Sequence, residues 1–259
     1  IHIFGHHPKD NSPQGIFCAN GQCSQCLVIV DGLPVKSCMT PLAEAMIIES
    51  VEGLPRLPEN DAEPRIPSLA TREVDVLIIG AGPAGLAAAV ELGKHGVGTL
   101  IIDDKDRPGG KLVLQTHKFF GSVEDSYAGT RGFEIAAILQ EEINKLESVE
   151  TWLNTTAVGV FSDKIIGAVK GGKTSRYKQI KPKKLLIATG AREKMLSFPG
   201  NTLPGVYGAG AFQTLVNRDL IKSSDKVLIV GGGNVGLIAG YHAIQAGIEV
   251  VARALELVS

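Results

Sequence analysis

Val74-Asp-Val-Leu-Ile-Ile-Gly80-Ala-Gly82-Pro-Ala-Gly85-Leu-Ala-Ala-Ala-Val90-Glu-Leu-Gly-Lys-His-Gly-Val-Gly-Thr99-Leu-Ile-Ile102-Asp103-Asp104 is the stretch that decides the fold. Val76 to Ile79 is an apolar run of strand length, and Thr99 to Ile102 is a second one. Between them lie a G-x-G-x-x-G turn, Gly80-Ala-Gly82-Pro83-Ala84-Gly85, and an alanine-rich helix. Each glycine meets a steric need: a tight turn at Gly80, close approach of a pyrophosphate at Gly82, and helix-on-strand packing at Gly85. The helix then turns free N–H groups and the positive end of its dipole toward the phosphates. The second strand ends in Asp103-Asp104, where a carboxylate is placed to bond a ribose hydroxyl. Strand, turn, helix, strand and acid in this order read as a dinucleotide site, the alternative being a glycine turn that only packs a helix on a sheet.

Outward from this unit the chain carries more of the same. After Asp104, with Lys105 beside it, comes Arg107-Pro-Gly-Gly110-Lys111-Leu112-Val, a second glycine turn whose backbone is placed to meet the ribityl or pyrophosphate part of a cofactor, or to form an ordinary loop. Thr116-His-Lys-Phe-Phe-Gly follows as a polar-aromatic lining, although Phe119 and Phe120 serve equally well as core residues. Gly132 to Leu146 has helical apolar spacing. Val149 to Phe161 (with Ala157 as a cofactor contact), Ile165 to Val169 and Tyr177 to Ile180 read as strands of a meander. Lys184 to Ile187 reads as a buried strand running into the small-residue turn Ala188-Thr189-Gly190. A helix is expected from about Gly210 to Ile221. Lys226 to Val230, Gly231-Gly-Gly233-Asn234-Val235-Gly236 and Ile248 to Val251 then repeat the strand, G-x-G-x-x-G, helix, strand order. The acid is out of register in this second unit. The position matching Asp104 is Leu255, with Arg253 and Glu256 nearby, so the choice between NAD, NADP and another adenine nucleotide is not encoded there.

All four cysteines lie near the start, in Gly15-Ile-Phe-Cys18-Ala-Asn-Gly-Gln-Cys23-Ser-Gln-Cys26 and then Cys38. The C-x4-C-x2-C interval is that of plant-type [2Fe–2S] ligation. A glycine-containing loop can wrap a small cluster, and a hairpin turned at Asp31-Gly32 returns the fourth thiol. A structural zinc would more usually show two C-x2-C pairs; disulfides or free thiols are the remaining readings. His2, His6 and His7 read as loop residues because the cysteines already supply four ligands. Leu54 to Arg72, with four prolines and charges of both signs, reads as a linker. The expected organisation is therefore residues 1–53 as a cluster domain, 54–72 as linker, 73–203 as a first dinucleotide-binding domain and 204–259 as the start of a second, which the resemblance given below identifies as FAD-binding and NAD(P)-type.

The bulk numbers exclude several classes. With 259 residues and a net charge of -1, nothing draws the whole chain to nucleic acid or an anionic membrane. The basic stretch from Lys164 to Lys184 is nearly free of aromatics and reads as a solvated hairpin face whose lysines discourage sheet pairing. The run Val76 to Val90 is short of the ~18 residues of a membrane span. Clustered thiols suit a reducing, cytoplasmic setting. No Ser-His-Asp or acid/base pair stands out, so the catalytic residues are unassigned.

Gly80-Ala-Gly-Pro-Ala-Gly85, Ala188-Thr-Gly190 and Gly231-Gly-Gly-Asn-Val-Gly236 together resemble the two-dinucleotide-binding flavoproteins of the glutathione reductase class. With the cysteine loop, the chain resembles the alpha or A-type subunits of heteromeric sarcosine oxidase, dye-linked L-proline dehydrogenase, hydrogen cyanide synthase and opine oxidase. The resemblance implies an α/β fold with Rossmann-type units, FAD at the first turn and NAD(P) at the second. Ahead of these it implies a partial plant-type ferredoxin (β-grasp) domain. It also implies electron transfer between FAD and a [2Fe–2S] cluster, and a partner flavoprotein beta subunit that oxidises a small amine or amino acid. A stand-alone NAD(P)H:acceptor oxidoreductase, or a scaffold with a structural nucleotide, are the rivals. No cysteine follows Cys38, so the redox disulfide of disulfide reductases is not expected. Relative to the class, the chain is expected to be cut short at both ends.

Overall fold

A computed structural model describes residues 3–56, 59, 68–171 and 175–254. The chain divides into two compact units, Ile1–Glu63 with Arg192–Ser259 and Pro64–Ala191. The expectations placed on His2, on Leu255 and Glu256, on Lys173, and on most of the 54–72 linker fall outside the described residues.

The first unit opens with the short pair β1 (Gly5–His6) and β2 (Pro13–Gln14). The cysteine loop follows, and then β3 (Leu27–Val30), β4 (Leu33–Lys36) and β5 (Ile48–Ser50), an antiparallel sheet in the order β4-β3-β5. Asp31 (φ 49) and Gly32 (φ 81) both sit in the left-handed region that a two-residue hairpin turn needs. This places Lys36 opposite Leu27 and brings Cys38 back beside Cys26.

The second unit is one six-stranded mixed sheet. Its members are β6 (Thr71–Ile79), β7 (Thr99–Ile102), β8 (Val149–Trp152), β9 (Thr155–Val160), β10 (Ile166–Lys170) and β11 (Arg176–Ile187), in the order β8-β7-β6-β11-β10-β9. The first four in that order are parallel and the last two antiparallel. Helices α1 (Pro83–Lys94) and α3 (Gly132–Asn144) cover one face, with the short α2 (Val123–Ser126) between them in the chain. Ile78 and Ile101 point into that layer with Leu86, Ala89, Val90, Ile135, Leu139 and Ile143. Their strand neighbours Leu77, Leu100 and Ile102 point the other way, where Ile166, Ala168 and Ile180 of the curled meander close over them. Burial on both faces is why β6 and β7 read as unbroken apolar runs instead of alternating ones.

The remainder of the first unit holds α4 (Ala209–Gln213), a π-helical turn (Thr214–Arg218), β12 (Lys226–Val230), α5 (Asn234–Gln245) and β13 (Glu249–Ala254). β12 and β13 pair in parallel, and Phe212, Val216, Ala239, Ala243 and Ile248 form their core.

Three local expectations change. Val149–Trp152 is the outer parallel strand and not part of the meander, because Asn154 (φ 50) turns the chain before β9. The helix expected near Gly210 to Ile221 is a five-residue α-turn that widens into a π-turn. The strand end Lys184–Ile187 is not buried: Leu186 is 38% and Ile187 65% exposed. The meander partner β10 reaches only Ile180 by register, so the last residues of β11 are flanked by β6 alone.

Candidate functional site

The first glycine turn joins β6 to α1 and is fixed from three directions. Gly80 N–H donates to Ile102 O of β7 at 2.8 Å. Gly80 has φ +110, and a Cβ there would run into Ala188 O, so the Ala188-Thr189-Gly190 segment lies directly against the turn. Gly85 faces Gly80 O so closely that a Cβ has no room. Gly82 differs from both. A Cβ there meets nothing within 4 Å, and its backbone (φ -77, ψ -178) is ordinary extended chain. Two glycines are therefore required by the fold, and the third keeps one side of the turn open. Gly82 is the N-cap of α1 with no side-chain cap, Pro83 lacks an N–H, and the N–H groups of Ala84 and Gly85 begin the helix without an intrahelical partner. The open face thus carries bare donors at a positive helix end, the requirement for a diphosphate.

The second glycine pair sits on this turn. Gly109 N–H donates to Ala81 O at 2.7 Å, and a Cβ on Gly110 would lie 2.9 Å from Gly82 Cα. Lys111 and Leu112 continue into a 3-10 turn, Gly110–Leu114, in which Leu112 is buried against α3. Thr116 is half-buried just beyond. His117 is buried, stacks on Phe119 and Phe120, and accepts the N–H of Phe119 on Nδ1 at 3.2 Å; burial lowers its pKa. Phe119 itself is exposed.

The two acids do different things. Asp103 Oδ2 accepts from Ala81 N at 2.7 Å and Oδ1 from Lys105 N at 2.9 Å, whereas Asp104 is exposed and pairs with Lys105 Nζ at 2.7 Å. Arg107 is exposed. Ala157 packs in the cluster with Leu77 and Ile102, on the face of the sheet away from α1 and α3. Ala81 and Gly109 are the residues that sequence reasoning passed over. Their roles run through backbone atoms, and the one available signal was the doubled glycine at 109–110.

The second turn, between β12 and α5, repeats the backbone of the first. Gly231 has φ +120, Gly233 is an extended N-cap (φ -72, ψ -179) with open space at its Cβ position, and Gly236 faces Gly231 O. Asn234 and Val235 form the first turn of α5, and Val235 is exposed.

In the first unit the four thiols come together as two pairs. The Cys23 N–H donates to Cys18 Sγ at 3.3 Å, and Cys26 and Cys38 share a hydrogen bond between their sulfurs. Cys18 and Cys26 are buried, and Cys23 and Cys38 are partly so. Burial pushes the Cys18 thiol up, but N–H groups of Asn20, Cys23 and Gln22 outweigh it and hold the thiol below its usual range. The bond from Cys38 holds Cys26 down to about 5, and the same bond raises Cys38. Among the described residues no group of three or more His, Cys, Asp or Glu is gathered as a single metal ion would need. Paired thiols under backbone donors fit a two-iron cluster with two thiolates on each iron better than one tetrahedral zinc. His6 faces Glu52 at 3.6 Å and His7 faces Asp10 at 3.0 Å, so these two histidines have carboxylate neighbours instead. Among the described residues no helix is long and apolar enough to cross a membrane.

Comparison with known proteins follows the same division. Residues 1–53 match the 2Fe-2S iron-sulfur cluster binding domain, and residues 74–257 match the pyridine nucleotide-disulphide oxidoreductase family. The chain is 30% identical over 203 residues to the sarcosine oxidase alpha subunit of Rhizobium meliloti, covering 74% of this chain and 20% of that one. It is 31% identical over 175 residues to the HcnB subunit of hydrogen cyanide synthase from Pseudomonas protegens, covering 67% of this chain and 36% of that one. Against the A-type subunit of opine oxidase from Agrobacterium tumefaciens it is 28% identical over 180 residues, covering 67% and 35%. The chain thus spans about a fifth to a little over a third of these relatives. The fold is that of L-proline dehydrogenase from P. horikoshii, at a TM-score of 0.75 and 22% identity over 99% of this chain and 49% of that one. FAD and NAD(P) binding and a [2Fe–2S] cluster are the cofactor chemistry of these two matches. On the glycine-turn geometry and the extent of the match, the chain belongs to the pyridine nucleotide-disulphide oxidoreductase family, joined at residues 1–53 to a 2Fe-2S iron-sulfur cluster binding domain.

Proposed function

We propose that this chain is the electron-transfer part of a heteromeric flavin- and iron–sulfur-dependent oxidoreductase. Residues 73–203 hold FAD, with Gly80, Gly82 and Gly85 and the bare N-terminus of α1 on its diphosphate and Asp104 on its ribose. Residues 204–259 hold NAD(P) or another adenine nucleotide at Gly231, Gly233 and Gly236. Cys18, Cys23, Cys26 and Cys38, within residues 1–53, ligate one [2Fe–2S] cluster. Oxidation of an amine or amino acid belongs to a partner flavoprotein, in keeping with relatives named as subunits of sarcosine and opine oxidases. Cytoplasmic placement follows from thiols that must stay reduced to take up the cluster.

A flavin exchanges electrons in pairs or singly and the cluster takes them singly, so together the two cofactors convert one mode into the other. The chain's own residues bind and exclude. The open side of Gly82 admits a diphosphate where Gly80 and Gly85 would not tolerate even a methyl group. The four thiols fill the ligand positions of a two-iron cluster and leave no site on it for a substrate.

The observation that carries this reading is the cysteine loop: two thiol pairs beneath backbone N–H donors, in a chain that also holds a flavin-type glycine turn. The test is Cys23→Ser in the complete enzyme. The variant is expected to lose the cluster's iron and its reduced-state paramagnetic signal, to keep flavin and its reduction by donor, and to slow onward transfer to a one-electron acceptor. Onward transfer at the unaltered rate would overturn the relay, and zinc recovered from the wild-type cysteines would overturn the cluster assignment.

A further inference from the structure

Two cationic side chains reach the cysteine loop, and each ends on a backbone carbonyl. Lys36 Nζ donates to Gly21 O at 2.6 Å. Arg218 Nη2, from the π-helical turn, approaches Ala19 O at 3.5 Å. These carbonyls are not arbitrary. Gly21 C=O belongs to the same peptide group as Gln22 N–H, and Ala19 C=O to the same peptide group as Asn20 N–H. Both of those N–H groups act on Cys18 and hold its thiol down. Each cation therefore pulls on the oxygen of a peptide whose hydrogen points at a sulfur. Chains of hydrogen bonds polarise one another, and a charged donor at one end strengthens the bond at the other.

The two cations are not equivalent. Arg218 is neutralised by a two-pronged pair with Asp219, at 2.6 and 2.9 Å. Lys36 makes no ion pair among the described residues. It stands at the end of β4, opposite Leu27 and two residues before Cys38, and is half-buried. Gly21 is gripped from the same segment a second time. Met39 packs so tightly on it that a Cβ would lie 2.9 Å from Cγ, and the Gly21 N–H acts to lower the Cys38 thiol. The loop tip is thus clasped by residues 36–39, and the one uncompensated charge in the clasp is Lys36.

We propose that Lys36 is a positioning residue for the iron–sulfur cluster, holding Gly21 and raising the cluster's reduction potential through the Gly21–Gln22 peptide. The proposal rests on the reading of the four cysteines as cluster ligands. Reduction adds one electron to a cluster that its four thiolates already make negative, so a nearby ammonium and stronger N–H donors favour the reduced form. Net charge and hydrogen bonds to the sulfurs are known determinants of cluster potential. The electron comes from the chemical reductant of the titration and no proton need move.

The experiment is an equilibrium redox titration of the cluster's paramagnetic signal in the intact protein, with iron content measured alongside. In Lys36→Met the ratio of reduced to oxidised cluster at a fixed poise should fall about tenfold, which is 59 mV for a one-electron couple. Lys36→Arg should hold the wild-type potential, and Lys36→Gln, which keeps a donor without the charge, should fall between. An unchanged potential in Lys36→Met overturns the proposal. If Lys36→Met holds no iron, the decision passes to the other two, and equal potentials in Lys36→Gln and Lys36→Arg overturn it. A wild-type protein without the signal would instead overturn the ligand assignment.

Discussion

The carboxylate of Asp103, at the end of β7, accepts the backbone N–H of Ala81, in the middle of the first glycine turn, at 2.7 Å. Ala81 is completely buried, and its carbonyl in turn accepts Gly109 N–H at 2.7 Å. One peptide unit on each side of Ala81 therefore ties three segments together: the end of β7, the glycine turn and the second glycine pair. Asp103 braces the turn, and its neighbour Asp104 faces outward, paired with Lys105.

This division of labour gives the first prediction. Asn at position 103 offers one acceptor oxygen where two N–H groups, of Ala81 and Lys105, now need one each. One of them would face an NH2 donor. Asp103→Asn should cost about 1–3 kcal/mol of stability and weaken flavin binding with it. Asp104→Asn removes an exposed pair with Lys105 and should change stability by less than about 0.5 kcal/mol while still weakening flavin binding. Urea unfolding and flavin titration of the two variants separate the roles. Equal unfolding midpoints would show that the brace is not one.

The glycines of the first turn should separate in the same way. Gly82→Val places its side chain where nothing lies within 4 Å, at a backbone conformation any residue adopts. It should fold normally and lose flavin, read as absorbance per chain. Gly85→Ala puts a methyl group against Gly80 O, and Gly80→Ala puts one against Ala188 O at φ +110. Both should lower stability by at least about 1–3 kcal/mol. A fully flavinated Gly82→Val protein would remove the diphosphate from this turn.

At the second turn the ordering of the glycines is expected to change. Gly231 has φ +120 but no neighbour within 4 Å of a Cβ, whereas Gly80 has both the strained backbone and the collision. Gly231→Ala should therefore cost only the strain of the backbone conformation, about 1–3 kcal/mol, and less than Gly80→Ala. Gly233→Val should abolish NAD(P)H binding and spare flavin content. Loss of flavin in Gly233→Val, or NADH affinity equal to wild type, would contradict two separate nucleotide turns.

What the sequence made legible was whatever local chain geometry decides. The order from Val74 to Asp104 gave the end of β6, the turn, α1 and β7, because steric need at three glycines and burial on both faces leave a residue-by-residue imprint; the start of β6 at Thr71 lies in the stretch that reads as linker. Asp31-Gly32 gave the hairpin for the same reason. The brace on Ala81 was not legible, since Asp103 is 22 residues away and the partner is a backbone N–H that any residue would supply. The clasp of Lys36 on Gly21 was hidden in the same way, spanning 15 residues from a lysine that composition alone would leave in solvent. The exposed end of β11 was missed because an apolar run encodes burial only where neighbouring strands continue beside it, and β10 stops at the register of Ile180.

The last prediction concerns pH. His117 is 5% exposed, lies in a stack with Phe119 and Phe120, and has its pKa lowered by burial. The folded protein therefore resists protonating it, while the unfolded chain takes up the proton near the ordinary histidine value of about 6.5. Above that value neither state binds the proton and His117 adds no pH dependence. As pH falls below it the unfolded state binds more protons, so stability must decline. The decline stops once pH drops below the lowered folded pKa and both states carry the proton. The slope contributed by a single such group is at most about 1.4 kcal/mol per pH unit. His117→Asn keeps an acceptor for the Phe119 N–H that Nδ1 now receives, and it has no titration in this range. Unfolding free energies of wild type and His117→Asn are to be measured by urea from pH 7.5 down to pH 5. Whatever their difference at pH 7.5, the wild type should lose stability relative to the variant as the pH is lowered. Parallel curves across that range would show that His117 takes its proton equally well in both states, and that the aromatic stack does not keep it neutral.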